Sequence, residues 1–390
     1  MESSNGPARR REPPGFFVSG GRGRRVLRWA GRAALAITVL LVLFAALTPM
    51  GRYLSRAGWE EARILARRRP IVALVADGAT DAVTRGKLDL VMAVRSFAAD
   101  SLHLATGESF TTYSRLEHDT LVLVVSAAYR DTLAFYRWWF PIVGRVPYKG
   151  FFRSGDAMAQ AAELARAGLD TVVRPASAFS TLGFFNDPLL STTLAEDSST
   201  LANTVIHELL HNTFYAAGEA AFNESFANFV GARGAMRFFA GRGDSVHGAQ
   251  AASDWEREKF LGRFWSRVYE ELDSAFKAHA GDRAARLVAR DTVFAWARAR
   301  FDREILPKVP GLPPGRKLTL RLDNAMLMSR RLYRTGLDDF DAVFAREGGD
   351  LPKAIDRIVA LARSRPEAPL RAVTDWLASA GAEPPAQQRP

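Results

Sequence analysis

Cysteine is absent from the 390 residues. Its absence excludes disulfides, zinc ribbons, thiol catalysis and a lipidated N-terminal cysteine together. It leaves the compartment open, because a cysteine-free chain tolerates oxidising and reducing surroundings alike. Histidine is scarce as well: six, at positions 103, 118, 207, 211, 247 and 279. Any metal site must therefore be built from a few imidazoles and from carboxylates. No internal repeat is visible. A hydrophobic share of 48% over this length supports a substantial core, in one large or two modest domains.

The formal charge of +11 invites a nucleic-acid reading, which its distribution argues against. The first 32 residues hold eight arginines against Glu2 and Glu12, so more than half of the excess sits in this short stretch. Beyond it basic and acidic residues interleave, as in Glu60-Glu61-Ala62-Arg63, and no nucleic-acid motif accompanies the charge. We expect no nucleic-acid partner.

Residues 1–25 are rich in Arg, Gly, Pro and Ser, with Phe16 and Phe17 as their large apolar side chains, and read as a flexible basic tail. From Ala33 to Thr48 no charge occurs, and Val26, Leu27, Trp29 and Ala30 lengthen the apolar stretch at its start. Snorkelling of Arg28 and Arg32 brings it near bilayer thickness, and Pro49 and Gly51 end it. A core helix fits poorly, since the segment is apolar on every face. A cleaved signal peptide is the rival, but Phe44-Ala45-Ala46-Leu47-Thr48 makes a poor cleavage site. The reading is a single uncleaved transmembrane anchor over 26–50. The basic tail then lies in the cytoplasm and the bulk of the chain on the extracytoplasmic side of the membrane.

From about residue 53 the pattern is largely helical. Arg52 to Arg68, Ala79 to Ala99, Asp156 to Ala167 and Trp255 to Ala280 have helical spacing. In the last of these, Phe260, Phe264, Tyr269 and Phe276 form the apolar side. Leu121 to Val125 and Asp170 to Val173 are short β-branched runs and read as strands. Pro307, Pro310, Pro313 and Pro314 mark a loop before a helical C-terminal part, and residues 381–390 read as a loose end. Fold class is therefore mainly α, of the α+β kind, with a small sheet. A single domain is expected over 51–380.

The densest chemistry lies in Val205-Ile206-His207-Glu208-Leu209-Leu210-His211-Asn212, an H-E-x-x-H set in an apolar segment. On a helix His207 and His211 stand one turn apart on one face and can reach one metal ion. Glu208 is placed to take a proton from water at that ion. Val205, Ile206, Leu209, Leu210 and Phe214 wrap the helix and imply burial, which two histidines and a glutamate tolerate when a metal compensates them. The alternative, two surface histidines beside a solvated glutamate, is weaker.

A catalytic zinc needs a third protein ligand. The helix is expected to end near Gly218, and Asn223 to cap a second helix carrying Glu224 in its first turn. A helix–turn–helix return of this length brings Glu224 over the histidines, with Asn228 one turn on as a supporting partner. Glu219, beside the turn, is the competing ligand. The alternative role for Glu224 is to stabilise its helix N-terminus alone. Tyr148, Tyr215 and Tyr333 are candidates for a neutral donor to the substrate oxyanion, with Tyr333 and Tyr215 carried forward as catalytic residues. The remaining histidines read as surface or packing residues, and Trp138, Trp139 and Phe140 as packing. The run from Phe179 to Phe185 is a candidate wall of the substrate cleft.

Several motifs in order resemble a bacterial family of predicted aminopeptidases, zinc peptidases with two histidines and a glutamate. They are Leu65 to Ile71, Phe140 to Phe152, Ser180 to Pro188, the H-E-x-x-H set and Phe222 to Ala227. The resemblance spans about 53–235, fades between about 240 and 315, and returns near 320–360. It implies a largely helical, gluzincin-like zincin fold, with His207, His211 and Glu224 as zinc ligands, Glu208 as general base and a peptide as substrate. Members commonly carry a lipidated cysteine where this chain has Pro49-Met50-Gly51, so an anchor helix would replace the lipid here. An envelope endopeptidase and a non-catalytic metal-binding membrane protein are the alternatives.

Overall fold

The structure is a computed structural model and describes residues 20–116, 122–140, 144–175, 187–309 and 321–379, with the side chains of 20–26 left aside. The expected flexible tail over 1–25 is helical from Gly20, continuous with the apolar helix that follows; its residues 1–19, the loose end 381–390, His118, Leu121, the loop prolines 310, 313 and 314, and the Phe179 to Phe185 run lie outside the described residues. The chain divides into two compact units, residues 1–61 and 62–390.

In the first unit, helix α1 (Gly20–Leu47) holds one stretch, Leu27–Leu47, long and apolar enough to cross a membrane. Its side chains, among them Leu35, Leu40 and Leu41, are exposed along its length. Helix α2 (Pro49–Ala66) follows.

Among the described residues the second unit is mainly helical with three small sheets. Strand β1 (Arg69–Pro70), α3 (Ile71–Ala76), α4 (Ala82–Leu102) and β2 (Thr112–Ser114) come first. Then follow β3 (Leu123–Ala128), β4 (Trp138–Phe140), β5 (Gly144–Val146) and β6 (Tyr148–Phe151). Next are α5 (Ser154–Arg166), β7 (Asp170–Pro175), β8 (Leu189–Leu190), α6 (Ser191–Leu194), α7 (Ser198–Thr213) and α8 (Ala220–Gly241). The C-terminal part comprises α9 (Ser245–Ala278), α10 (Arg283–Arg300), α11 (Asn324–Arg331), α12 (Leu337–Arg346), α13 (Leu351–Ser364) and α14 (Pro369–Ser379).

β2 lies between β1 and β8, antiparallel to the first and parallel to the second. β3 lies between β6 and β7, antiparallel to both, and β4 pairs with β5. Three sheets stand where one small sheet was expected. The first expected strand overlaps β3, which Leu123 opens and whose pairing runs on to Ala128. Trp138 and Phe140 are buried as packing residues, while Trp139 is exposed. The long helix α9 begins ten residues before Trp255, because the Asp244 carboxylate caps it by accepting from His247 N. Asp81, Asp197, Asp282, Asp323 and Asp350 cap α4, α7, α10, α11 and α13 in the same way.

The main core is formed by α3, α4, α7, α8, α12, α13 and α14, with Leu88, Ile206, Leu209, Phe226, Phe229 and Phe340 fully buried. A second core joins α9 and α10 through Phe264, Trp265 and Phe294. Two polar clamps hold these layers. The Asp341 carboxylate of α12 accepts from Arg233 of α8 and from Trp255 Nε1 and Lys259 Nζ of α9. The Asp170 carboxylate of β7 accepts from Arg290 of α10 and from Asn324 N of α11.

α7 and α8 form the tightest helix pair, because α8 presents glycine to α7. A Cβ at Gly231 would stand 2.2 Å from Asn203 Oδ1 and 2.8 Å from Asn203 O. One at Gly234 would stand 2.9 Å from Ile206 Cδ1. Gly231→Ala should therefore destabilise the protein by about 1–3 kcal/mol through overpacking against backbone. Gly241→Ala, with open space at its Cβ, should be neutral or slightly stabilising. Thermal melting of the pair checks this, and equal melting temperatures would contradict the close packing.

Candidate metal centre

α7 supplies two of the three groups. Its buried side, with Val205, Ile206, Leu209 and Leu210, turns into the core and leaves His207 and His211 on the adjoining, half-buried face. The helix ends at Thr213, five residues before the expected stop. Phe214 is extended, with φ −151° and ψ 135°, and Gly218 occupies the turn at φ +86°. Only a residue without a Cβ adopts that turn conformation without strain.

The turn is closed by Asn223, which is no cap. α8 starts at Ala220 after Glu219, and Asn223 is buried inside the helix. Its Oδ1 accepts from Ala216 N and its Nδ2 donates to Ala216 O, both at 2.8 Å. This amide clip fixes the return and places Glu224 in the second turn of α8. There a carboxylate gains little from the helix N-terminus, whose influence fades within a turn. Glu219 occupies the position before the helix and stands apart from the three-residue group.

His207, His211 and Glu224 form a group that could hold a metal ion. His207 Nε2 lies 3.2 Å from His211 Nε2 and 3.4 Å from Glu224 Oε2, and His211 Nε2 lies 3.9 Å from Glu224 Oε2. Ligand atoms bonded at about 2.0–2.1 Å to one tetrahedral ion stand roughly 3.3–3.4 Å apart, so these donors fit a single small cation. Two nitrogen donors and one carboxylate are also the ligand types such an ion takes.

The electrostatics agree. Burial works upward on the Glu224 carboxyl, but the hydrogen bonds and charges of His207 and His211 outweigh it and hold it far below the usual range. Burial works downward on His211, and Glu224 overrides it, keeping the imidazole proton above its ordinary pKa. Glu208 is raised, first by burial and then by Glu224 and Asp187, with His207 and His211 working against them.

α8 also organises the rim. Ser225 Oγ donates to Leu332 O and accepts from Thr335 N, and Asn228 Nδ2 donates to Tyr333 O at 3.1 Å. The residues flanking Glu224 thus hold the segment that carries Tyr333, and Asn228 supports that tyrosine. Burial, then the charge of Glu224, raises the Tyr333 phenol to about 12. Tyr148, which opens β6, is raised by burial first and then by the charges of Glu224, Tyr215 and Tyr333. Tyr215 is exposed, with its ring edge-on to His211 at 6.3 Å between centroids. The three candidate tyrosines therefore gather around Glu224.

Of the other described histidines, His103 and His279 end helices, and His247 stacks on Phe239 and pairs with Asp244. None joins the group. Sequence reasoning missed Asp187, although it closes the quoted Ser180 to Pro188 motif. It also missed Glu196, raised by burial and by its neighbours Asp197 and Glu208, and Arg174, whose Nη2 lies 3.4 Å from the Tyr333 hydroxyl.

The site thus defines a protein with a two-histidine, one-carboxylate group on consecutive helices, beside a half-buried glutamate. The chain belongs to the family described as "Putative aminopeptidase", whose sequence model matches residues 52–372. The match runs through 240–315, where the resemblance read from motifs fades. No curated protein and no solved structure matches the chain.

A cation must displace the His211 proton, so its apparent affinity should loosen about tenfold per pH unit below the raised His211 pKa and level off above it. Zinc competition titrations across about pH 5–8 check the sign, and an affinity independent of pH would contradict it. Glu224→Ala should lose or greatly loosen one bound ion per chain by metal analysis.

Proposed function

We propose that this protein is a zinc-dependent aminopeptidase. The observation that carries the reading is the convergence of His207 Nε2, His211 Nε2 and Glu224 Oε2, with Glu208 half-buried one position along from His207. Membership of the family points to hydrolysis of peptide bonds at the amino terminus.

Bound by His207, His211 and Glu224, zinc would bring the pKa of a coordinated water towards neutrality and polarise the scissile carbonyl. Glu208 accepts the proton of the attacking water and passes it to the departing amine. Its raised pKa suits that double duty, since an acid–base group works best near the operating pH. The Tyr333 phenol donates to the carbonyl oxygen as charge grows there, and Tyr148 stands beside it as a second donor. Tyr215 covers the outer edge of His211. Asp187 and Glu196 add negative charge around Glu208, which favours a free substrate ammonium there.

The exposed apolar helix Leu27–Leu47 supports a single-pass anchor in a bacterial inner membrane. The arginines before it favour an extracytoplasmic catalytic unit with a zincin-like fold.

Glu208→Gln should lower kcat at least about a hundredfold and leave the zinc content unchanged. Full activity in that variant would overturn the mechanism. N-acetylation of a peptide should abolish its hydrolysis, whereas an endopeptidase would cleave both forms.

A further inference from the structure

Arg174 sits at the end of β7, paired in register with Val124 of β3, and its half-buried side chain reaches the site rim. Its guanidinium lies over the Tyr333 ring, 5.4 Å from the centroid, and its Nη2 meets the Tyr333 hydroxyl at a long 3.4 Å. Nε is shut off from solvent and has no hydrogen-bond partner. Among the described residues no carboxylate pairs with this cation, although Glu224 is near enough to act on the same tyrosine.

The setting is costly for an arginine. A guanidinium carries five donors and a fixed charge, and partial burial without an anion leaves most of that hydrogen-bonding capacity unused. Arg174 thus stands at the Tyr333 edge of the His-His-Glu group, with Glu224 and Glu208 near enough to act on the same tyrosine. A planar, forked cation in that state is matched by a carboxylate, which accepts two parallel N–H bonds.

We propose that Arg174 is the site's carboxylate-recognising residue, selecting peptides that carry a carboxylate close to the scissile bond. Two sources offer that chemistry: the free C-terminus of a di- or tripeptide, and an acidic side chain just beyond the cleaved bond. The inference rests on the peptidase reading for its biological sense, but the binding chemistry stands by itself. With an ammonium drawn to the Glu208 side and a carboxylate to Arg174, the site would read both ends of a short peptide.

The test uses the full-length chain in detergent, loaded with zinc. Two substrate pairs separate the sources: leucyl-alanine against its C-terminal amide, and leucyl-glutamate amide against leucyl-glutamine amide. The wild type should favour the carboxylate member of at least one pair by about tenfold or more in kcat/KM, chiefly through KM. Arg174→Met should erase that preference, and Arg174→Lys should keep part of it. Equal handling within both pairs by the wild type would overturn the proposal, as would a preference that survives in folded Arg174→Met. If Arg174→Met does not fold, the wild-type and Arg174→Lys measurements decide. The same four peptides titrated calorimetrically against the wild type give a readout independent of turnover. A carboxylate preference in binding without hydrolysis upholds the anion site and removes the peptidase reading. Hydrolysis without any preference does the reverse.

Discussion

The distance between α7 and α8 is the constraint on which the site depends. An imidazole from one helix and a carboxylate from the next meet at 3.4 Å only because the helices pack without side chains between them at Gly231 and Gly234. Helix pairs usually settle at a separation set by the side chains at their contact. Here the contact is Asn203 and Ile206 against bare backbone, and the buried amide of Asn223 locks the return between the helices. A Cβ at Gly231 would push α8 outward and draw Glu224 away from the histidines. Core packing and ligand spacing are therefore one quantity in this protein.

α8 couples that packing to the rest of the site. Glu224 faces the histidines, and its neighbours Ser225 and Asn228 grip the backbone around Tyr333. From the other side, the Asp170–Arg290–Asn324 clamp ties the start of β7 to the start of α11, the helix that leads into the Tyr333 segment. Arg174, four residues along β7 from Asp170, meets Tyr333 from that direction. The tyrosine is thus fixed by two frameworks, one carrying a ligand and the other a cation. Such dual support narrows the positions that its phenol can take.

Much of this was legible in the residues. The H-E-x-x-H spacing and its apolar flanks located α7 and the half-buried histidines, and the same local pattern found Glu224 on a second helix. The turn chemistry was read wrongly in one respect: Asn223 has the composition of a cap, but its amide fits the buried Ala216 peptide and binds there instead. Nothing local distinguishes a capping asparagine from a clip of this kind, because the choice depends on where the chain returns. Gly231 and Gly234 look like weak points of a helix until α7 is laid against them. Arg174 carried no signal at all, since an arginine closing a short strand is ordinary. It acquires meaning through Tyr333, far along the chain, and one sequence holds no record of that contact.

The position of the His-His-Glu group along the chain has a consequence for assembly. All three side chains fall within 207–224, on a helical hairpin whose turn is closed by its own Asn223. Short loops close at small entropic cost, and a chain made from its N-terminus presents such a hairpin before later segments exist. The candidate ligands can therefore come together without any residue of α9 to α14. Tyr333 reaches the site only when the much later α11–α12 segment docks. The three candidate ligands are thus neighbours in the chain, whereas the tyrosine beside them is brought in by contacts more than a hundred residues long in sequence.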